Sequence, residues 1–255
     1  MKTILLPIDF SECSRNAVAY MLNMYRNEPC EFILLHCCHK SIHCWHPQES
    51  FQTDLSQEGL KATAENKMQR FLQELRQAYP NNLHKYSGSV EEALLLPAVK
   101  RHINTCNLTC IAIGANGGTS DKHTFYGSNT KSLIEEVKNC PLLVIPGNVK
   151  FSPIKEIVLP NDFNFKTKPE ELHFLKELLQ KTKASLIILH IQIKQKLTAV
   201  QKKNELLLKE LLQDEKPESH LLTEVSVHEG IYSFSESRGS DLLVFINTKK
   251  NFLDN

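Results

Sequence analysis

The chain is sparing with glycine, nine in 255 residues, and has a single tryptophan. That excludes collagen-like and glycine-rich low-complexity architectures. It lacks a charge excess: thirty basic side chains face twenty-nine acidic ones. Neither nucleic acid nor a membrane surface would be recruited by net charge. It also lacks any run approaching the roughly 18 apolar residues of a membrane span. The opening MKTILLPIDF has one Lys and an apolar run that ends at Asp9. Such a run is too short for a secretory core, and no small-residue cleavage site follows it. Cysteine is absent from the last 115 residues, all eight lying between Cys13 and Cys140. Small secreted proteins are instead stapled densely throughout. The expectation is a cytoplasmic protein with reduced thiols. Two phosphate motifs are missing as well. No G-x-G-x-x-G follows the first apolar run and no G-x4-G-K-[ST] occurs, which excludes a dinucleotide fingerprint and a P-loop NTPase.

What is present is an internal duplication. KTILLPIDFS at 2–11 returns as KEIVLPNDFN at 155–164, at a constant offset of 153. FILLHC at 32–37 matches LIILHI at 186–191, and CIAIGA at 110–115 matches LVFINT at 243–248. A period this long means two related domains rather than a solenoid. The join falls in IPGNVKFSPIK, 145–155, which gives domains at 1–148 and 154–255. Within each copy, short runs that are apolar throughout alternate with amphipathic segments. TILLPI, EFILLHCC, TCIAIGA and PLLVIP read as strands buried on both faces. SECSRNAVAYMLNMYR, with Ser11 as N-cap, and SQEGLKATAENKMQRFLQELRQAY read as helices. VEEALLLPAVKRHIN and SNTKSLIEEVKN read likewise. Alternation of this kind predicts an α/β fold, a parallel sheet with helices on both faces. Its ligands would bind beyond the C-terminal strand ends. The second copy, with helices in PEELHFLKELLQKT and LTAVQKKNELLLKELLQDE, is expected to lack the last helix and strand.

The scarce glycine is bunched. Four of the nine fall within residues 114–127, directly after CIAI. Gly114, Gly117 and Gly127 follow G-x2-G-x9-G, with Ser128 next. Glycines let backbone N–H groups approach a phosphate, and a helix start adds free donors and partial positive charge. Ser128 and Asn129 suit a cap or a phosphate contact. Asp9, on the same sheet edge, suits a ribose hydroxyl or a phosphate-bound metal.

LLPIDFSECSRNA, ILLHC and IAIGANGGTSDKHTFYGSNTKSLIEEVKNCPLLVIP together resemble the universal stress protein family. The glycine spacing is similar to that of its nucleotide-binding branch. The resemblance covers 1–148 nearly completely and 154–248 more weakly. It implies two flavodoxin-like, adenine nucleotide alpha hydrolase-like open sheets. It also implies an adenine-nucleotide-binding protein of stress regulation, with ATP, ADP or AMP as ligand and Mg²⁺ beside it. By position, Pro7, Ile8 and Asp9 would line the adenosine and Cys37 would sit beside the base. Ile113, Gly114, Asn116 and Gly117 would form the first part of the loop. Gly127, Ser128 and Asn129 would take the phosphates. Asn116 stands where a basic side chain or His is common. The family's last strand often pairs domains edge to edge, which implies pairing of the two domains and a homodimer. INTKKNFLDN replaces the loop in the second domain, and Lys249 and Lys250 cannot replace a backbone cradle. No nucleotide is expected there, although Asp162 keeps the first-strand acid.

Other clusters carry plainer readings. HCCHKSIHCWH at 36–46 lacks recurrent C-x2-C spacing, so it reads as a strand end running into a polar loop, not a metal site. Cys106 and Cys110 read as small buried residues, and His36 and His190 as packed imidazoles. The amphipathic stretch 197–216 reads as a helix covering its own sheet. A hydrolase would need a water-activating group, for which only Asp9, Asp121 and His123 offer themselves. No residue demands catalysis, and a binding protein is expected. A nucleotide-independent interaction module and a weak ATPase remain the alternatives.

Overall fold

Ile4, Leu5 and Leu6 are completely buried, as a continuous apolar run must be when helices cover both faces of its sheet. They belong to β1 (Lys2–Pro7), the middle strand of the first of two parallel sheets. The computed structural model describes residues 1–38, 57–116, 126–192 and 196–246. The chain divides into two units, Met1–Phe151 and Ser152–Asn255.

In the first unit β1 is followed by α1 (Glu12–Met24), β2 (Cys30–Cys37), α2 (Gln57–Ala78), β3 (His84–Glu91) and α3 (Leu95–Thr105). Then come β4 (Cys110–Gly114), α4 (Ser128–Glu136) and β5 (Leu142–Ile145). The strand order is β3-β2-β1-β4-β5. Chain direction across the sheet therefore reverses between β1 and β4, the switch point at which open α/β sheets form their binding crevice. Alternate residues of β1, β2 and β4 (Leu5, Leu35, Ile111 and Ile113) meet Ala98 and Val99 of α3 and Leu133 of α4. The intervening residues face the other side, where α1 lies against β4 and β5. Ser11 caps α1 as expected, accepting the Ser14 N–H at 3.3 Å.

One expectation for the first unit changes. The stretch VEEALLLPAVKRHIN is not helical throughout: Val90 and Glu91 end β3, and the helix begins only at Leu95. The strand itself, HKYSGSVE, is mostly polar because it is an edge strand with only one neighbour, β2. It therefore has no apolar run to betray it.

The segment after β5 is tied back to α1. The Asn16 side-chain amide donates to Pro146 O at 3.1 Å and Val149 O at 2.7 Å. Lys150 Nζ donates to Asn16 Oδ1 at 3.0 Å.

The second unit runs β6 (Glu156–Pro160), α5 (His173–Thr182), β7 (Ser185–Gln192), α6 (Ala199–Leu211) and β8 (Glu218–Thr223). It continues with α7 (Val227–Arg238) and β9 (Leu242–Leu243). Among the described residues its sheet has four strands, in the order β8-β7-β6-β9. PEELHFLKELLQKT opens with a 3₁₀ turn, Pro169–Leu172, before α5. The repeat register also differs by one residue from the sequence match. Ile4 pairs with Cys110 and its counterpart Ile157 pairs with Leu242, so Leu242 rather than Leu243 takes the place of Cys110.

Both units turn the same corner after their first strand. Phe10 (φ 64°) and Phe163 (φ 57°) occupy the left-handed region, which a bulky residue enters only when its surroundings hold it there. In each unit the preceding Asp accepts the backbone N–H of the residue after the Phe: Asp9 from Ser11 at 3.0 Å, Asp162 from Asn164 at 2.9 Å. Each Phe ring packs on the His ending the next strand, Phe10 on His36 at 4.8 Å and Phe163 on His190 at 4.9 Å.

Candidate functional site

The switch point gathers most of the residues singled out in the sequence. Pro7 ends β1 and pairs with Leu35. The β1–β4 register, Ile4 with Cys110 and Leu5 with Ile111, carried forward in parallel brings Ile8 level with Gly114. Ile8 is buried, and its backbone is committed. Its N–H donates to Leu35 O at 2.8 Å and its carbonyl accepts from His36 Nδ1 at 2.8 Å. Only the Ile8 side chain is left to shape a cleft. Asp9 is exposed, and its Oδ1 accepts from Ser11 Oγ at 2.5 Å.

On the other side of the crevice, Ile113 and Gly114 close β4 and are buried. Gly114 serves packing. A Cβ there would stand 2.8 Å from Cys13 Sγ and 3.1 Å from the Cys13 backbone, so the glycine lets α1 approach β4. Asn116 follows, and its Oδ1 is buried with no hydrogen-bond partner among the described residues. An unpaired buried acceptor costs about 1–3 kcal/mol, so this oxygen calls for a donor beyond the described residues. Gly117, together with Asp121 and His123, lies outside the described residues.

The start of α4 is returned to the same place. Gly127 N–H donates to Ala115 O at 2.9 Å, and Thr130 Oγ1 donates to Gly114 O at 2.9 Å. The helix N-terminus is thereby pinned to the end of β4. Gly127 is its N-cap at φ −65°, ψ 156°, a conformation open to any residue, and among the described residues no side chain caps the helix. Ser, Asp or Asn is favoured at such a position. Ser128 and Asn129 are exposed on the first turn. Thr130, which the sequence reading passed over, is the buried anchor. No local pattern marked it, because its acceptor lies 16 residues away.

Cys37 and His36 end β2 beside β1. Burial pushes the Cys37 thiol up to about 12, so it stays protonated and poorly nucleophilic at neutral pH. Next to it Glu91 accepts from His102 Nε2 at 2.8 Å and from Arg101. Burial raises the Glu91 carboxyl, and these two donors more than offset it, so it lies below its ordinary value. The metal question over 36–46 falls largely outside the described residues, which include only His36, Cys37 and Cys38 of that stretch. Cys110 is buried and Cys106 half-buried.

Burial also lowers the His36 imidazole from its ordinary 6.5, outweighing the Ile8 hydrogen bond that raises it. The folded state thus prefers neutral His36. Its contribution to stability is complete above pH 6.5 and is lost as pH falls below 6.5 through the folded value. Urea unfolding at about pH 7.5 and about pH 5.5 should show a larger loss for the parent chain than for His36→Gln. Equal losses would remove His36 as the source.

In the second unit His190 Nδ1 donates to Asn161 O at 2.8 Å and Asn161 N–H to Leu189 O at 2.9 Å, repeating the Ile8–His36 arrangement. The counterpart of the glycine loop, with Lys249 and Lys250, lies outside the described residues.

Among the described residues no helix is long and apolar enough to cross a membrane. No curated protein matches the chain. Solved structures resemble its fold. A universal stress protein from Archaeoglobus fulgidus DSM 4304 is 20% identical over 95% of this chain and 86% of its own, with a TM-score of 0.66. A putative universal stress protein from Pseudomonas aeruginosa UCBPP-PA14 is 12% identical over 100% and 85%, with a TM-score of 0.58. A functionally unknown protein from Pseudomonas aeruginosa PAO1 is 11% identical over 100% and 84%, with a TM-score of 0.59. The family model that matches is the universal stress protein family, over residues 1–146. With its β1–β4 switch point and α/β sheet inside that span, the chain belongs to the universal stress protein family.

Proposed function

We propose that the first unit binds an adenine nucleotide, ATP or its ADP or AMP counterpart. Its occupancy is the signal of a cytoplasmic stress or energy response. The observation that carries this reading is the uncapped start of α4, fastened to the end of β4 at the switch point. Free N–H donors and the positive end of the helix favour a phosphate there. The buried Asn116 Oδ1 beside it supports the same reading, since a ribose hydroxyl is a donor it can accept from. Pro7, Ile8, Asp9 and Cys37 would line the base side of the cleft; Ile113, Gly114, Asn116, Gly127, Ser128 and Asn129 would line the phosphate side, and Gly117, outside the described residues, is assigned there by its spacing alone. Mg²⁺ would neutralise phosphate charge, and Asp9, exposed on that edge, is the residue that would hold it.

Binding rather than turnover is the proposed activity, with the second unit as a pairing partner. Protein purified without added nucleotide is denatured and the supernatant resolved by anion exchange. Near-stoichiometric ATP, ADP or AMP is expected. An empty supernatant, with no heat on titration with Mg·ATP, would replace this reading with an interaction module that needs no nucleotide.

A further inference from the structure

Equivalent strands of the two units differ in what covers them. In the first unit Ile111 is 0% and Ile113 6% exposed, and both share a core with Leu133 of α4 and Val99 of α3. In the second unit Leu243 takes the place of Ile111. It pairs with Val158 as Ile111 pairs with Leu5. Paired residues share a face of the sheet, as do residues two apart on one strand. Leu243 and Phe245 therefore face the side on which Ile231 of α7 meets Val158. Yet Leu243 is 37% and Phe245 41% exposed. Among the described residues no helix of the second unit follows β9 as α4 follows β4.

The helix beside this strip differs as well. Counted from the N-caps, Leu94 and Ser226, Tyr232 of α7 stands where Lys100 stands in α3. Lys100 Nζ reaches across to Glu136 of α4 at 2.9 Å. Tyr232 is 59% exposed. Glu229 and Glu236, three before it and four after, lie on the same stripe of the helix. Both are exposed, and the Tyr232 hydroxyl donates to Glu236 Oε1 at 3.4 Å. Arg238, the one arginine or lysine in α7, is spent on Glu156 at 2.6 Å. The first unit thus edges this face with a cation, and the second edges it with two carboxylates.

The geometry points to a docking face on the second unit for an amphipathic, basic-flanked helix of another protein. Its apolar side lies on Leu243, Phe245 and Tyr232. Lysine or arginine on its flank meets Glu229 and Glu236. The first unit shows the form, since α4 fills the equivalent place with nine residues. The charge is reversed, because the anion of the pair now stands on the sheet's own helix. A second copy of this face would bring the same carboxylates with it, and like charges oppose that pairing.

Amide chemical-shift mapping on the full chain tests this with two peptides of residues 127–138. One has the parent sequence, GSNTKSLIEEVK. The other carries Glu135→Lys and Glu136→Lys. The lysine peptide should move the amides of Tyr232, Leu243 and Phe245, and should bind about tenfold more tightly than the parent peptide. Tyr232→Ala, at an exposed position, should weaken it about tenfold. Glu229→Lys together with Glu236→Lys should reverse the preference between the peptides. Equal binding of the two peptides would overturn the inference, as would shifts confined to the first unit. A dimer in sedimentation that Tyr232→Ala dissolves would overturn it in favour of a second copy. Phe252→Ser raising the lysine peptide's affinity about tenfold would overturn it in favour of residues 247–255 of the same chain.

Discussion

Gly127→Asp is expected to keep the fold and to cut ATP affinity about 100-fold. Gly127 sits at φ −65°, so the new side chain needs no backbone change. Its carboxylate can accept from the N–H groups of Asn129 or Thr130, a cap that stabilises a helix by about 1 kcal/mol. The same carboxylate then occupies the place proposed for the phosphates. Two like charges about 5 Å apart at an effective dielectric of about 20 repel by about 3 kcal/mol, which sets the expected loss. Gly127→Asn, with the same shape and no charge, should bind ATP within several-fold of the parent. Calorimetric titration of the three proteins decides the matter. Equal affinity throughout would move the phosphates away from α4.

The second large effect is on stability. Gly114→Ala should lower it by about 2 kcal/mol, or roughly 4–8 °C in melting temperature. The added methyl would meet Cys13 Sγ at 2.8 Å and the Cys13 backbone at 3.1 Å. Removing the sulfur relieves only the first contact. Cys13→Ala in the Gly114→Ala background should therefore recover part of the loss and leave the backbone part standing. A double-mutant cycle by thermal unfolding measures the two shares. Full additivity would mean that the two residues do not press on one another.

These variants separate two roles that one glycine pattern merges. G-x2-G-x9-G reads as a single phosphate device, yet Gly114 is needed where α1 crosses β4. Spacing along a chain cannot tell a glycine that admits a ligand from one that admits a helix. The central strands were legible because burial on both faces leaves Ile4, Leu5, Leu6 and their counterparts no polar alternation. The same physics hid β3, an edge strand free to be polar. The Ser11 cap was legible because its partner lies three residues away. Thr130 reaching Gly114 O, and the stranded oxygen of Asn116, depend on how distant segments meet, and no local pattern encodes them.

The bond from Gly127 N–H to Ala115 O has a consequence for the loop's length. A chain that leaves β4 at Ala115 is brought back to its point of departure twelve residues later, so both ends are anchored independently of what lies between. The closure entropy of such a segment grows only as the logarithm of its length, by about 0.6 kcal/mol for each doubling. Insertions and deletions between 116 and 126 are thus nearly free for the fold. The pinned ends of β4 and α4 would therefore carry a connection of another length without any rearrangement of the sheet.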